Sequence, residues 1–118
     1  MTSDLAQTAL DFCRECLGWE DAAASMWGQC SNKMVVAKRG RSVVERLRYT
    51  DLNAVMEAVR GWCIRNKLGL TLCCDQSGFE VIVFSASFDE IDEEATNQNP
   101  CHALLAACVE AARKLRAA

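Results

Sequence analysis

The feature that most constrains this chain is a pair of amphipathic segments bracketing two strand-like runs. In residues 50–63, Leu52, Val55, Met56, Val59 and Cys63 recur at helical spacing, while Asn53, Glu57 and Arg60 fall on the opposite side. Thr50 or Asp51 precedes this run as a candidate cap. In residues 99–115, Asn99 is the cap and Pro100 takes the first helical position, where its missing N–H costs nothing. Cys101, Leu104, Leu105, Cys108, Val109, Ala112 and Leu115 form the apolar face, and Arg113, Lys114 and Arg116 suit the negative end of the helix dipole. Between the two helices, residues 68–74 and 79–85 read as a hairpin about Asp75-Gln76-Ser77-Gly78, with Gly78 free to adopt positive φ. Val81 and Val83 alternate with Ile82 and Phe84, so the second strand is apolar on both faces. That pattern predicts a central strand covered on both sides.

The remaining segments complete one α/β order. Residues 4–17 read as a helix with Leu5, Ala9, Phe12, Cys13, Cys16 and Leu17 on one stripe, stopped by Gly18. Residues 25–30, 34–38 and 42–49 suit short antiparallel strands, separated by the turn-like Asn32-Lys33 and Arg39-Gly40-Arg41. In the third, Val43, Leu47 and Tyr49 share one face, and Val44, Arg46 and Arg48 the other. Ala22 to Ala24 are compatible with helix instead. Gly61 costs its helix stability relative to alanine and suggests close backbone packing. Residues 89–98 read as an acidic, flexible connection. No internal repeat or linker is visible. The expectation is a single domain over residues 1–118, an αβββαββα sandwich of α/β (α+β) class, its mostly antiparallel sheet covered by helices on both faces.

Composition narrows the function classes. The formal net charge of −3 argues against general affinity for nucleic acid or anionic membrane. No apolar run approaches a bilayer span, and residues 1–4 open no signal peptide, so the expected setting is the cytoplasm of a host cell. The eight cysteines, most on helical apolar faces, read as reduced thiols acting as small hydrophobes rather than as a disulfide framework.

Three blocks resemble a known family: Ala-Leu-Asp-Phe-Cys-Arg-Glu-Cys-Leu-Gly-Trp from Ala9, Tyr-Thr-Asp-Leu-Asn-Ala-Val-Met-Glu-Ala-Val-Arg-Gly-Trp-Cys from Tyr49, and Cys-His-Ala-Leu-Leu-Ala-Ala-Cys-Val-Glu-Ala-Ala-Arg-Lys-Leu from Cys101. They are similar to the helices of the phage ABA sandwich domain, a group of small phage and prophage proteins. The resemblance implies helical layers around a sheet and a mobile-element origin. It implies no activity and no catalytic residues. Residues 22–48 match nothing in it.

Candidate chemistry is sparse. Cys13 and Cys16 have the spacing of a metal or redox pair, and a zinc site would need completion by Cys73, Cys74, Cys101 or His102. Core packing is the preferred reading, so no metal or other cofactor is expected. A thioredoxin-like role is disfavoured because the pair ends a helix with no strand before it. His102, the only histidine, reads as a locally bonded first-turn residue rather than a base. The acidic run Asp89, Glu90, Asp92, Glu93 and Glu94 lacks a calcium-loop pattern, but clustered carboxylates can imitate phosphates. Lys33, Lys38, Arg39, Arg41, Arg46 and Arg48, opposed only by Glu45, form a basic run. It has no aromatic interleaving beyond Tyr49, so direct nucleic-acid binding is not expected. A guanidinium fork at Arg39 and Arg41 suits carboxylate or phosphate; as a charged edge, the run also resists unwanted strand pairing.

These readings converge on a non-enzymatic binding protein of phage or prophage origin, an anti-CRISPR-like inhibitor of host defence acting by protein–protein contact. Its expected partner is a host protein or protein–nucleic acid complex, without a membrane role, and the chain itself is compatible with a homodimer. Arg39, Arg41, Arg46 and Arg48 are the first candidate contact residues, with Asp89, Glu90, Asp92 and Glu93 second. The alternatives are a sponge for an anionic nucleotide signal, with Trp27 or Tyr49 stacking on the base, and a phage structural or assembly protein; a zinc enzyme ranks last.

Overall fold

The structure, a computed structural model, describes residues 3–19, 22–27, 32–39, 42–85 and 92–117. The chain runs α1 (Ser3–Glu15), β1 (Ala22–Trp27), β2 (Asn32–Arg39), β3 (Ser42–Arg48), α2 (Leu52–Arg65), β4 (Leu68–Asp75), β5 (Gly78–Ser85), β6 (Asp92–Asn97) and α3 (Pro100–Ala117). The mixed α/β sandwich is thus as expected. Its strands, however, divide into two separate antiparallel sheets, ordered β1-β2-β3 and β4-β5-β6. The element order β-β-β-α therefore occurs twice after α1, a repetition of architecture with no counterpart in the residues themselves.

The extra strand is β6. The segment expected to be a flexible acidic connection from residue 89 pairs with β5 from Asp92 onward, Val81 opposite Ala95 and Val83 opposite Glu93. Residues 89–91 lie outside the described residues. Alternation explains the strand: Glu93, Ala95 and Asn97 are half-buried while Glu94 and Thr96 are exposed. Ala22 to Ala24, which helix propensity alone would extend into a helix, are drawn into β1 by pairing with Ala37, Val36 and Val35.

The helices gather at the centre, with α3 packed against both α1 and α2. The first sheet lies on α1 and, through β3, on α2; the second lies on α3 and, through β4, on α2. Central placement explains why α3 is buried almost all round. Beyond the expected face, Ala103, Ala107 and Ala111 are fully buried, a line of small side chains that permits close approach of neighbouring elements. On α2, Val55, Val59 and Cys63 are buried as expected and Trp62 joins them, whereas Leu52, expected inside, is 40% exposed at the first turn. Asp51 caps this helix, its carboxylate accepting from the N–H groups of Asn53 and Ala54. Asn66 and Lys67 end it, Lys67 taking a left-handed φ of 58°. Gly18 ends α1 in the same region, with φ 72°, and the Trp19 N–H returns to the Cys13 carbonyl at 3.0 Å.

Two glycines fit the second sheet for steric reasons. Gly78 takes φ 130° after the hairpin turn, and a side chain there would meet the Asn97 carbonyl at 2.8 Å. Gly69 stands opposite Phe84, and a Cβ on it would collide with the ring. Gly61, by contrast, faces open space apart from the Arg65 side chain, so close packing is not its reason.

Candidate functional site

The outward face of the first sheet is built by strand alternation. Ala22, Val35, Leu47 and Tyr49 point to the helices and belong to the core. The intervening residues therefore face away from them. There Arg46 stands opposite Val36 and Arg48 opposite Met34. Both arginines are exposed, while Val36 and Met34 are 2% and 6% exposed and lie outside the helix-packed core. Cross-strand neighbours at this register are within side-chain reach. Arginine stems cover apolar surface while their guanidinium groups stay in water. The result is two exposed cations, each beside an apolar neighbour that is itself buried.

The other candidate contacts are distributed differently. Arg39 closes β2 opposite Ser42, so it and the third strand share one end of the sheet. Its side chain lies outside what is described, as do Arg41, Asp89 and Glu90. Asp92 opens β6 opposite Phe84. Glu93 turns toward α3, its Oε1 3.8 Å from Lys114 Nζ, while Glu94 projects to the opposite, exposed side. The β pleat thereby divides Glu93 from Glu94, and the acidic residues from position 92 onward do not form one loop cluster. Tyr49 is 5% exposed within the core and offers no ring for stacking; Trp27 ends β1, and its side chain lies outside what is described.

His102 joins three elements. Its Nδ1 lies 3.2 Å from Asn97 Nδ2 on β6, and its Nε2 3.1 Å from Thr8 Oγ1 on α1. Asn97 Oδ1 already accepts from the Asn99 N–H at 2.9 Å, which turns the amide nitrogen toward the ring. Nδ1 is therefore the acceptor, and Nε2 carries the proton donated to Thr8. This polarity is opposite to that of a base activating a hydroxyl, and it makes His102 a clasp between α1, β6 and α3.

The thiols also meet in an unexpected set. Cys16 Sγ donates to the Cys108 carbonyl at 3.6 Å, and Cys108 is hydrogen-bonded to Cys63 on α2. Cys73 and Cys74, considered as completers of a Cys13–Cys16 metal site, are instead exposed on β4, and Cys101 is buried at the start of α3. Among the described residues no group of three or more potential ligands comes close enough to hold a metal. Burial pushes the Cys13 thiol up to about 12 and the Cys16 thiol higher still. In the Cys63–Cys108 pair the shared hydrogen bond lowers Cys63 and holds Cys108 well above its ordinary value. Cys13, Cys16 and Cys108, held protonated, are poor nucleophiles.

A groove of about 440 Å³ opens where the end of α1 meets β3 and α2, lined by Cys16, Trp19, Glu45, Glu57, Gly61 and Arg65. A neighbouring recess of about 350 Å³ shares Trp19 and Glu57 with it and is also lined by Arg46, Leu47 and Ala54. Its walls carry both signs of charge, so an anionic nucleotide finds no uniformly positive cradle there. Compared with known proteins, the chain matches no family model, no curated protein and no solved structure. No described helix is long and apolar enough to cross a membrane.

Proposed function

We propose that this chain is a phage- or prophage-derived, non-enzymatic binding protein that inhibits a host defence system by protein–protein contact, as anti-CRISPR proteins do. The observation that carries a binding role is the pair of exposed arginines, Arg46 and Arg48, two residues apart on the same side of the first sheet. Such a face complements an acidic surface of a host protein or of a protein–nucleic acid complex. The origin rests on the resemblance of the helical blocks to phage ABA sandwich proteins. The bonding of His102, its acceptor nitrogen taken by Asn97 and its proton given to Thr8, supports a structural role for the residue best suited to acid–base work.

The test is capture from a bacterial lysate with tagged protein, followed by mass spectrometry. Wild type is expected to retain a stoichiometric host complex, and Arg46→Glu/Arg48→Glu to lose it with an unchanged circular dichroism spectrum. Equal capture by the reversed variant would remove this face from the interface. Recovery of the bait alone, together with a bound small molecule in native mass spectrometry, would favour the nucleotide-sponge reading instead.

A further inference from the structure

The second sheet has two edges of opposite character. At one, β6 begins Asp92-Glu93-Glu94. At the other, β4 reads Leu-Gly-Leu-Thr-Leu-Cys-Cys-Asp and carries no charge before its final residue, no proline and no lysine. Edge strands are ordinarily blunted by charge, proline or a covering element. Among the described residues strand β4 pairs only with β5, and its positions from Thr71 to Asp75 are all exposed. Among them Leu72, a large apolar side chain, is left in water at 38% exposure. Another, Ile64 at 61%, lies in the last turn of α2, the helix that packs on β4 and leads directly into it.

We infer that the β4 edge is a self-association surface, pairing antiparallel with β4 of a second copy of this chain to give a continuous six-stranded sheet. The occupant follows from charge. A neutral strand is its own complement, because two-fold pairing sets no like charges face to face. Pairing β6 with itself about Glu94 would instead set two carboxylates opposite each other, which is destabilising. Hydrogen bonding fixes the kind of register. Residues whose N–H and C=O point outward alternate along a strand, so like must face like and the two-fold axis must pass through a residue. An axis at Cys73, the middle of the exposed run, covers that run completely. Cys73 then faces Cys73 of the second copy, Leu72 faces Cys74, and Thr71 faces Asp75. The two Asp75 carboxylates are left about 13 Å apart along the strand, at ~3.3 Å per residue, where salt screens them.

Sedimentation equilibrium of the full chain under reducing conditions tests this. The expected species is a dimer of the 13.0 kDa chain. Cys73→Lys, which sets like charges opposite each other at the axis, is expected to weaken dimerisation about tenfold or more, while Cys73→Ser leaves it intact. Circular dichroism establishes that the lysine variant is folded. Should it fail to fold, a short bis-maleimide applied to a chain carrying Cys30→Ser and Cys74→Ser reads the same contact, with the expected product a covalent dimer joined through Cys73. A monomeric wild type, a Cys73→Lys dimer as tight as wild type, or a dimer that does not cross-link through Cys73 would overturn the inference.

Discussion

At the scale of single residues, the second sheet is shaped by one missing side chain. Gly69 leaves the space that the Phe84 ring fills across the strand pair, and even a methyl group there would collide with the ring. Gly69→Ala must displace an aromatic side chain from a half-buried position, so a loss of about 1–3 kcal/mol is expected. Chemical denaturation measures it. The same substitution in a Phe84→Ala background should cost much less, since the two residues share one space. Burial of Tyr49 and the bonding of His102 have a similar origin. Both side chains carry polar groups usable for chemistry, and both are committed by their neighbours to holding the fold.

At the scale of elements, α1 and α3 are clasped by charge as well as by packing. Arg113 donates from Nε and Nη2 to the two oxygens of Glu15, at 3.1 and 3.0 Å, and Arg116 adds a further ion pair. The Arg113 hydrogen bond, with smaller help from Arg116, holds the Glu15 carboxyl below its ordinary value. A carboxyl with a depressed folded value binds its proton more readily when unfolded. Its contribution is therefore complete above the unfolded carboxylate range and is lost as pH falls through the folded value. Glu15→Gln is expected to lower stability near neutrality and to flatten its fall between neutral and acidic pH. Urea midpoints measured across that range give the comparison, and parallel curves would show that Glu15 adds no pH dependence. Arg113 is 48% exposed, so the effect is modest and weakens with added salt.

At the scale of the whole molecule, α3 organises everything else. It touches α1, α2 and the second sheet, and its alanines at 103, 107 and 111 are fully buried. Ala107→Leu is therefore expected to destabilise by about 1–3 kcal/mol despite leucine's good helix propensity. Thermal unfolding should show a lower midpoint, by about 4 °C per kcal/mol lost for a domain of this size. An unchanged midpoint would mean that α3 has free space along this line.

Much of this was fixed by local sequence. The stripes of α1, α2 and α3, the Asn99-Pro100 start and the Asp75–Gly78 hairpin are legible because caps, turns and 3.6-residue periodicity act through near neighbours. Arg46 and Arg48 were placed together on one face by alternation alone. Other features depended on partners distant in the chain. Strand β6 was hidden because its acidic residues resemble a solvated loop until β5 supplies their hydrogen bonds. Leu52 fits the apolar stripe of α2 yet lies outside, because periodicity gives a side's direction but not where the covering element ends. The division into two sheets, the meeting of Cys16, Cys63 and Cys108, the Thr8–His102–Asn97 clasp and the bare edge of β4 all join or separate residues far apart in sequence. Sequence by itself determined which segments are helices and most of the strands, since those choices are settled within a few residues. Only the tertiary structure decided which strands share a sheet, which polar groups are spent on the fold and which edge faces water, because each depends on packing across the whole chain.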